Sequence, residues 1–399
     1  MRLCYGLGFV ELPDSVSVEV VLPQELPKAE RGEIENAIDN PMGKSLSDLC
    51  GKTASVLISD ITRPSPSHLL LRPLTKRLRE IGISDINVIF GLGTHRRMTH
   101  EEEDLLLKDC AFMPHVQHDP EKCIQLGETK RGTPVEIFED VAASDLVIAT
   151  GNIEYHYYAG YSGGAKALLP GVSSNRSVVK NHELMRDPRS ISGRLDSPVR
   201  QDMEEAARIG GLDFILNVVL NSRKEVVKAV AGDFITAHRS GAAVVDEMYK
   251  KRVEPAEIVV TCAGGRPKDL NLFQAHKALD NARGAATPGG TIILLAECSE
   301  GFGNAAFERW VREAKCAEDC IDRFGKEYEF GGHKAALIAR ESLKYDLILV
   351  SSMPSEQVAK CFFKPARTLE EALALAWDRH GKDARTLVLP HGNLTLATQ

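Results

Sequence analysis

Eight short runs rich in Val, Ile and Leu recur along the chain with helical-period segments between them: ASVLISD, INVIFGLG, DLVIATG, DFILNVVLN, AEIVVTCAGG, GTIILLAE, DLILVSS and TLVLPHG. A strand covered on both faces reads as a continuous apolar run, and helices between such strands supply the cover. The alternation therefore predicts an α/β fold with mainly parallel sheets. Several runs end in Gly, Ser, Thr or Asp, as expected where strands open into ligand-holding loops at the carboxyl edge of such a sheet.

A chain of 399 residues exceeds what one hydrophobic core usually organises. A helical stretch from Ile235 to Arg252 stops at KKRVEPAE, where Pro255 precedes a new strand-helix series. The prediction is two α/β domains facing each other across a cleft, residues 1–253 and 254–399, with the last strand free to return to the first domain. The 49 basic and 56 acidic residues give a net charge of −7 without a basic stripe, which argues against nucleic acid as a partner. No apolar run reaches membrane-spanning length and the N-terminus does not read as a secretory leader, so a cytoplasmic protein is expected. The nine cysteines are scattered with no Cys-x-x-Cys pair, poor material for a disulfide framework or a zinc ribbon. The HEEED run at His100–Asp104 reads as a helix start capped by Thr99.

Three loops that follow strands hold the residues able to do chemistry. In SDITRPSPSH, Asp60, Thr62 and Arg63 precede two prolines that stop the strand and stiffen the loop. Arg63 is either tied to Asp60 as an ion pair or open to clamp a carboxylate or phosphate with its planar fork. In IFGLGTHRRMTH, His95 comes directly after a strand and falls at the same sheet edge. A carboxylate beside it would fix its tautomer and raise its basicity, as a general base requires.

The third loop lies within IEYHYYAGYSGGAKALLPG, with His156, the segment Gly160–Gly164 and Lys166. Exposed N–H groups at a helix start attract anions, so phosphate binding is one reading. It is not a Walker A loop, because Ala165 precedes Lys166 and Ala167 follows it. His182, in VVKNHELM, is too far along for a helical His-Glu-x-x-His zinc site, and the chain has no compact multi-His motif.

Taken together, DITRP, GTHR, EYHYYAGYSGGAKALLPG and NH resemble the lactate racemase family, whose members use a nickel-pincer nucleotide, a nickel ion held by a pyridinium carbon and two sulfurs. The four motifs occur in the family's order, and the resemblance covers the whole chain. It implies a racemase or epimerase that inverts C2 of a 2-hydroxy acid, supplied with its cofactor by dedicated biosynthetic enzymes. It implies that Lys166 bonds covalently to the cofactor through a thioamide, that His182 is the one protein ligand to nickel, and that His95 and His156 are the acid/base pair. Arg63 would grip the substrate carboxylate, Asp60 would orient His95, and the backbone from Ser162 through Gly163 and Gly164 to Ala165 would meet the nucleotide phosphate. In CAGGRPKDLNLFQAHKALDNA, Gln274 and Lys277 stand one helical turn apart, and the resemblance makes both substrate-binding.

The chemistry has its own logic. The hydrogen on a carbon beside a carboxylate is very weakly acidic, so removing it as hydride avoids a carbanion, and two bases on opposite sides then serve the two mirror-image substrates. One departure concerns specificity. Gly331 and Gly332 stand where lactate-specific members carry a tryptophan that crowds the substrate, and His333 and Lys334 follow. Small residues and added polar groups predict a substrate longer than lactate, such as an aldonic or dicarboxylic hydroxy acid. Two other readings of the chain are a nicotinamide-dependent hydroxyacid oxidoreductase, disfavoured because no Gly-x-Gly-x-x-Gly follows a strand with an acid at the right distance, and a non-catalytic carboxylate or sugar-acid binding protein.

Overall fold

In the computed structural model, which describes residues 1–13 and 16–399, all eight apolar runs are strands of two six-stranded sheets. The fold is α/β and its sheets are mainly parallel. The chain divides into two compact units, one of Glu25–Met248 and one of Met1–Gln24 with Tyr249–Gln399.

In the unit Glu25–Met248 the strand order is Val226–Gly232, Leu212–Leu220, Leu146–Ile153, Thr53–Ser59, Asp85–Gly91 and His115–Gln117. All neighbours are parallel except the edge strand Val226–Gly232, which returns antiparallel from Leu212–Leu220. From Thr53–Ser59 the chain moves outward through Asp85–Gly91 to His115–Gln117, then crosses back to Leu146–Ile153 on the other side. Reversal of strand order at Thr53–Ser59 and Leu146–Ile153 leaves the loops at their carboxyl ends diverging, which opens a crevice. Helix Ser67–Glu80 covers the sheet by burying Leu70, Leu71, Leu74 and Leu78, an i, i+1, i+4, i+8 stripe, in one core cluster with Val56, Ile58, Val88 and Phe90. Thr99 caps helix His100–Leu107 as expected: its side chain accepts from the Glu102 N–H while Glu102 accepts from the Thr99 N–H.

In the second unit the order is Lys364–Ala366, Asp346–Val350, Ala286–Leu295, Ala256–Cys262, Thr386–Leu389 and Glu19–Val20, all parallel. A single cut at 253/254 does not describe this division. The first 24 residues join the second unit because Glu19–Val20 pairs with Leu387 and Val388, and a two-residue strand leaves no pattern to read. The expected helix ends at Tyr249, and Lys250–Arg252 is instead a strand paired with Leu396–Thr398, so the chain's last strand stays within the second unit. The cysteines are free thiols. Among the described residues, no helix is long and apolar enough to cross a membrane.

Candidate active site

The loop after Thr53–Ser59 buries Asp60 and turns at once, the Arg63 N–H donating to the Asp60 carbonyl at 3.2 Å. Asp60 uses both carboxylate oxygens: Oδ2 lies 2.5 Å from Nδ1 of His95, and Oδ1 accepts from the Thr62 hydroxyl at 2.6 Å and the Thr62 N–H at 3.1 Å. Burial pushes the Asp60 carboxyl up, but His95, Thr62 and the Arg63 charge together outweigh it and hold it below the ordinary carboxylate range. Asp60 is therefore paired with His95 and not with Arg63. Arg63, half-buried, makes no hydrogen bond or ion pair with its side chain among the described residues, which leaves its fork open to an anion.

The loop between Ile153 and Leu168 is fixed by residues distant in sequence. Gly163 and Gly164 have φ of 72° and 58°, and a Cβ on either would press within 2.9 Å of Asn217 or 2.8 Å of the His238 ring. The Gly164 N–H donates to Asn217 Oδ1 at 2.8 Å, the Ser162 N–H to the Glu154 carbonyl at 2.8 Å, and His238 Nε2 meets the Ser162 carbonyl at 2.8 Å. The N–H groups of Ser162 and Gly164, expected to face a phosphate, are thus already bound within the protein, and Ala165 is buried. Lys166 follows in the 3-10 turn Gly164–Ala167, half-buried, with no hydrogen bond or ion pair to its amine among the described residues. Burial, then the charges of Arg63 and Arg200, lower its pKa well below the ordinary lysine value, against the weaker pull of Asp60 and Glu154. These interactions place Lys166, Arg63 and Asp60 in one neighbourhood.

His156 and His182 are both buried and meet through Tyr158. The Tyr158 ring stands edge-on to His156 at 4.4 Å between centroids, and its hydroxyl lies 2.5 Å from His182 Nε2. His182 is on the inner face of helix Asn175–Glu183, whose N-cap Ser174 accepts from the Ser177 N–H. If Nε2 of His182 is to hold a metal, the tyrosine must first release it. Among the described residues no group of three or more His, Cys, Asp or Glu gathers as a metal cage.

Sequence reasoning missed Tyr158, Asn217, His238 and above all Arg200, which is fully buried and donates to the carbonyls of Ala159, Tyr161 and Gly163. The SPVRQD sequence announces a helix start, with Ser197 capping and Pro198 following, but nothing in it says that the arginine turns back into the loop.

In the second unit, helix Leu272–Ala282 is capped by Asn271 and presents Gln274 and Lys277, both exposed, on one face as expected. The structure corrects the reading of the downstream segment. His333 and Lys334 are fully buried, and Lys334 Nζ lies 3.0 Å from Nδ1 of the equally buried His276 and 5.4 Å from the centroid of Phe273. Burial, aided by Lys277, brings the Lys334 amine down to about 7, and burial with the Lys334 charge brings His333 to about 3. Gly331 and Gly332 leave no vacant room either: a Cβ on Gly332 would enter the Trp310 ring and one on Gly331 would strike Asn304. Trp310 is 1% exposed and its indole N–H donates to Glu329 at 2.6 Å, so this ring fills the space attributed to a longer substrate.

Comparison with known proteins places this geometry. Residues 6–193 match the lactate racemase N-terminal domain family and residues 251–396 the lactate racemase C-terminal domain family. A lactate racemase of Thermoanaerobacterium thermosaccharolyticum is 35% identical over 382 residues, covering 91% of this chain and 89% of that protein. One of Lactiplantibacillus plantarum is 32% identical over 382 residues, covering 91% of this chain and 90% of that protein. The lactate racemase apoprotein structure from T. thermosaccharolyticum superposes with a TM-score of 0.92 at 31% identity, covering 100% of this chain and 99% of that one. A crystal structure of a Thermotoga maritima protein shares the fold alone, with a TM-score of 0.65 at 20% identity over 93% of this chain and 99% of that one. Both family domains and the two relatives at 35% and 32% identity over nine-tenths of the chain lead to one conclusion: the chain belongs to the lactate racemase family and is an isomerase.

Proposed function

We propose that the chain is a nickel-pincer nucleotide-dependent racemase of lactate or a 2-hydroxy acid of similar size. The observation that carries this reading is Lys166: a half-buried amine with no partner among the described residues and a depressed pKa is suited to forming a covalent bond with a cofactor. The residues present fit the group: Lys166 would be its covalent anchor through a thioamide, and His182 would be the protein ligand to nickel once the Tyr158 hydroxyl releases its Nε2. When bound, that cofactor supplies a site that takes hydride from C2 of the substrate and returns it.

The chain's own residues account for the rest. Arg63, open on its fork, holds the substrate carboxylate in a bidentate pair. Asp60 accepts the Nδ1 proton of His95, which leaves Nε2 as the acceptor for the substrate hydroxyl proton. His156 is the corresponding base for the other enantiomer, steadied by the rings of Tyr157 and Tyr158. The burial of His333 and Lys334 and the filling of the Gly331–Gly332 region by Trp310 and Asn304 remove the argument for a longer polar substrate.

The test is coexpression with the cofactor-making enzymes, followed by intact mass, nickel content and chiral chromatography of D- and L-lactate. Added mass on Lys166, about one nickel per chain and inversion in both directions are expected. Lactate binding without inversion in nickel-loaded protein would overturn the reading in favour of a binding protein, and tight NADH binding without mass on Lys166 would favour a nicotinamide enzyme.

A further inference from the structure

The most unusual buried charge in the unit Glu25–Met248 is Arg200. Its side chain is fully buried, yet it makes no ion pair among the described residues. Glu204, one turn further along the same helix, engages both its carboxylate oxygens with Arg239 at 3.0 and 3.1 Å. Arg200 instead donates Nε to the Ala159 carbonyl at 3.0 Å, Nη1 to Gly163 at 3.5 Å and Nη2 to Tyr161. A guanidinium is costly to bury with only carbonyls as partners, and a neutral donor would satisfy such carbonyls at lower cost. The three carbonyls belong to the segment that delivers Lys166, whose 3-10 turn begins at Gly164.

We infer that Arg200 is a positioning residue for Lys166: its Nη1 and the Lys166 N–H share the Gly163 carbonyl, so it clamps the loop that carries the lysine and holds a second cation against that loop. The charges that act on the Lys166 amine are Arg63 from the loop after Thr53–Ser59 and Arg200 from helix Pro198–Ile209, which disfavour its proton, and the opposing acids Asp60 and Glu154. A lysine becomes a nucleophile at neutral pH when it is desolvated and set beside another cation, because the second charge makes protonation unfavourable without touching the lone pair. Arg63 is open to a substrate carboxylate, which would cancel its effect, whereas Arg200 is sealed from solvent; burial brings its own pKa down to about 10, which leaves it charged at neutral pH. The clamp supplies the second half of the device, since a lone pair is useful only when the loop holds it in one direction.

The inference rests on the reading of Lys166 as the reactive amine, but its test needs no cofactor and holds or fails whatever the amine is later joined to. The full-length apo chain is pulse-acetylated with N-acetoxysuccinimide from about pH 6 to about pH 10, and Lys166 modification is read by peptide mass spectrometry. In the unaltered protein Lys166 reacts with a midpoint below that of the exposed lysines, and in Arg200→Gln the midpoint rises by about one pH unit or more. In Arg200→Lys, which keeps the charge and loses the fork, the midpoint stays low while hydrogen exchange across residues 159–167 speeds up. A purely structural role would speed exchange in Arg200→Gln and leave the midpoint unmoved, and that result overturns the inference. An ordinary midpoint for Lys166 in the unaltered protein also overturns it, even if neither variant folds.

Discussion

Nδ1 of His95 and Oδ2 of Asp60 lie 2.5 Å apart, joining the loops that follow two neighbouring parallel strands. The sheet pairs Ser59 with Gly91, so the two loops leave it side by side and the pair forms at the carboxyl edge. Asp60→Asn keeps the size but gives Nδ1 an amide that can also donate, which loses control of the tautomer. The holoenzyme variant is expected to lose about 100-fold or more in kcat for lactate inversion, measured by chiral chromatography, with its far-ultraviolet circular dichroism unchanged. Asp60 titrates lower in the folded chain than its ordinary 3.8, so the stability it confers is present above that value and is lost as pH falls through the folded one. Acid melts of Asp60→Asn should lack that part of the acid destabilisation.

Tyr158 occupies Nε2 of His182 at 2.5 Å. In Tyr158→Phe the ring still packs against His156 and His182 while the hydroxyl is gone. Nickel content after loading, measured by plasma mass spectrometry, should equal or exceed that of the unaltered protein. In His182→Gln it should fall close to zero; nickel retained by His182→Gln would remove His182 from the role of ligand.

Gly164 combines a φ of 58° with a Cβ path that ends 2.8 Å from His238. Gly164→Ala meets backbone strain and overpacking together, and should cost about 2 kcal/mol or more in chemical denaturation. The same change should lower the mass incorporated at Lys166 during loading, because the turn that carries the lysine begins at this residue.

Burial pushes the Lys334 amine down to about 7 in the folded protein from an ordinary 10.5. Between those values the unfolded chain binds a proton that the native chain does not, so stability rises with pH across this window, and below about 7 the penalty is constant. Lys334→Met removes this contribution. The difference in unfolding free energy between variant and unaltered protein should shrink by about 2 kcal/mol from pH 7 to pH 9, read from urea melts in one buffer series. A pH-independent difference would mean that the amine is charged where it lies.

Much of this molecule is visible in the residue order. Buried parallel strands must be apolar on both faces, so all eight strand runs and the α/β class follow from composition along the chain. Strand ends in a parallel sheet share one edge, which is why Asp60, Arg63, His95 and the loop to Lys166 could be assembled from sequence alone, and why their motifs carry the family resemblance. From the residues alone the pairing of Asp60 stays open between Arg63 and His95, and only the family resemblance implies His95, because both are within reach of a loop and it is the register of Thr53–Ser59 against Asp85–Gly91 that selects one.

Burial is a property of the folded chain, and there sequence reasoning failed for physical reasons. His333 and Lys334 look like a polar helix start, yet helix Gly332–Ser342 buries both, Lys334 against His276 and Phe273 and His333 stacked on Tyr328. Two adjacent glycines look like vacant room, yet Trp310, some twenty residues earlier, packs against them, and Arg200 enters a loop some forty residues before it. Local pattern determined what each segment would become and which chemistry it could carry; long-range packing alone decided which charges lost their water, which spaces were filled and hence which amine is free to react.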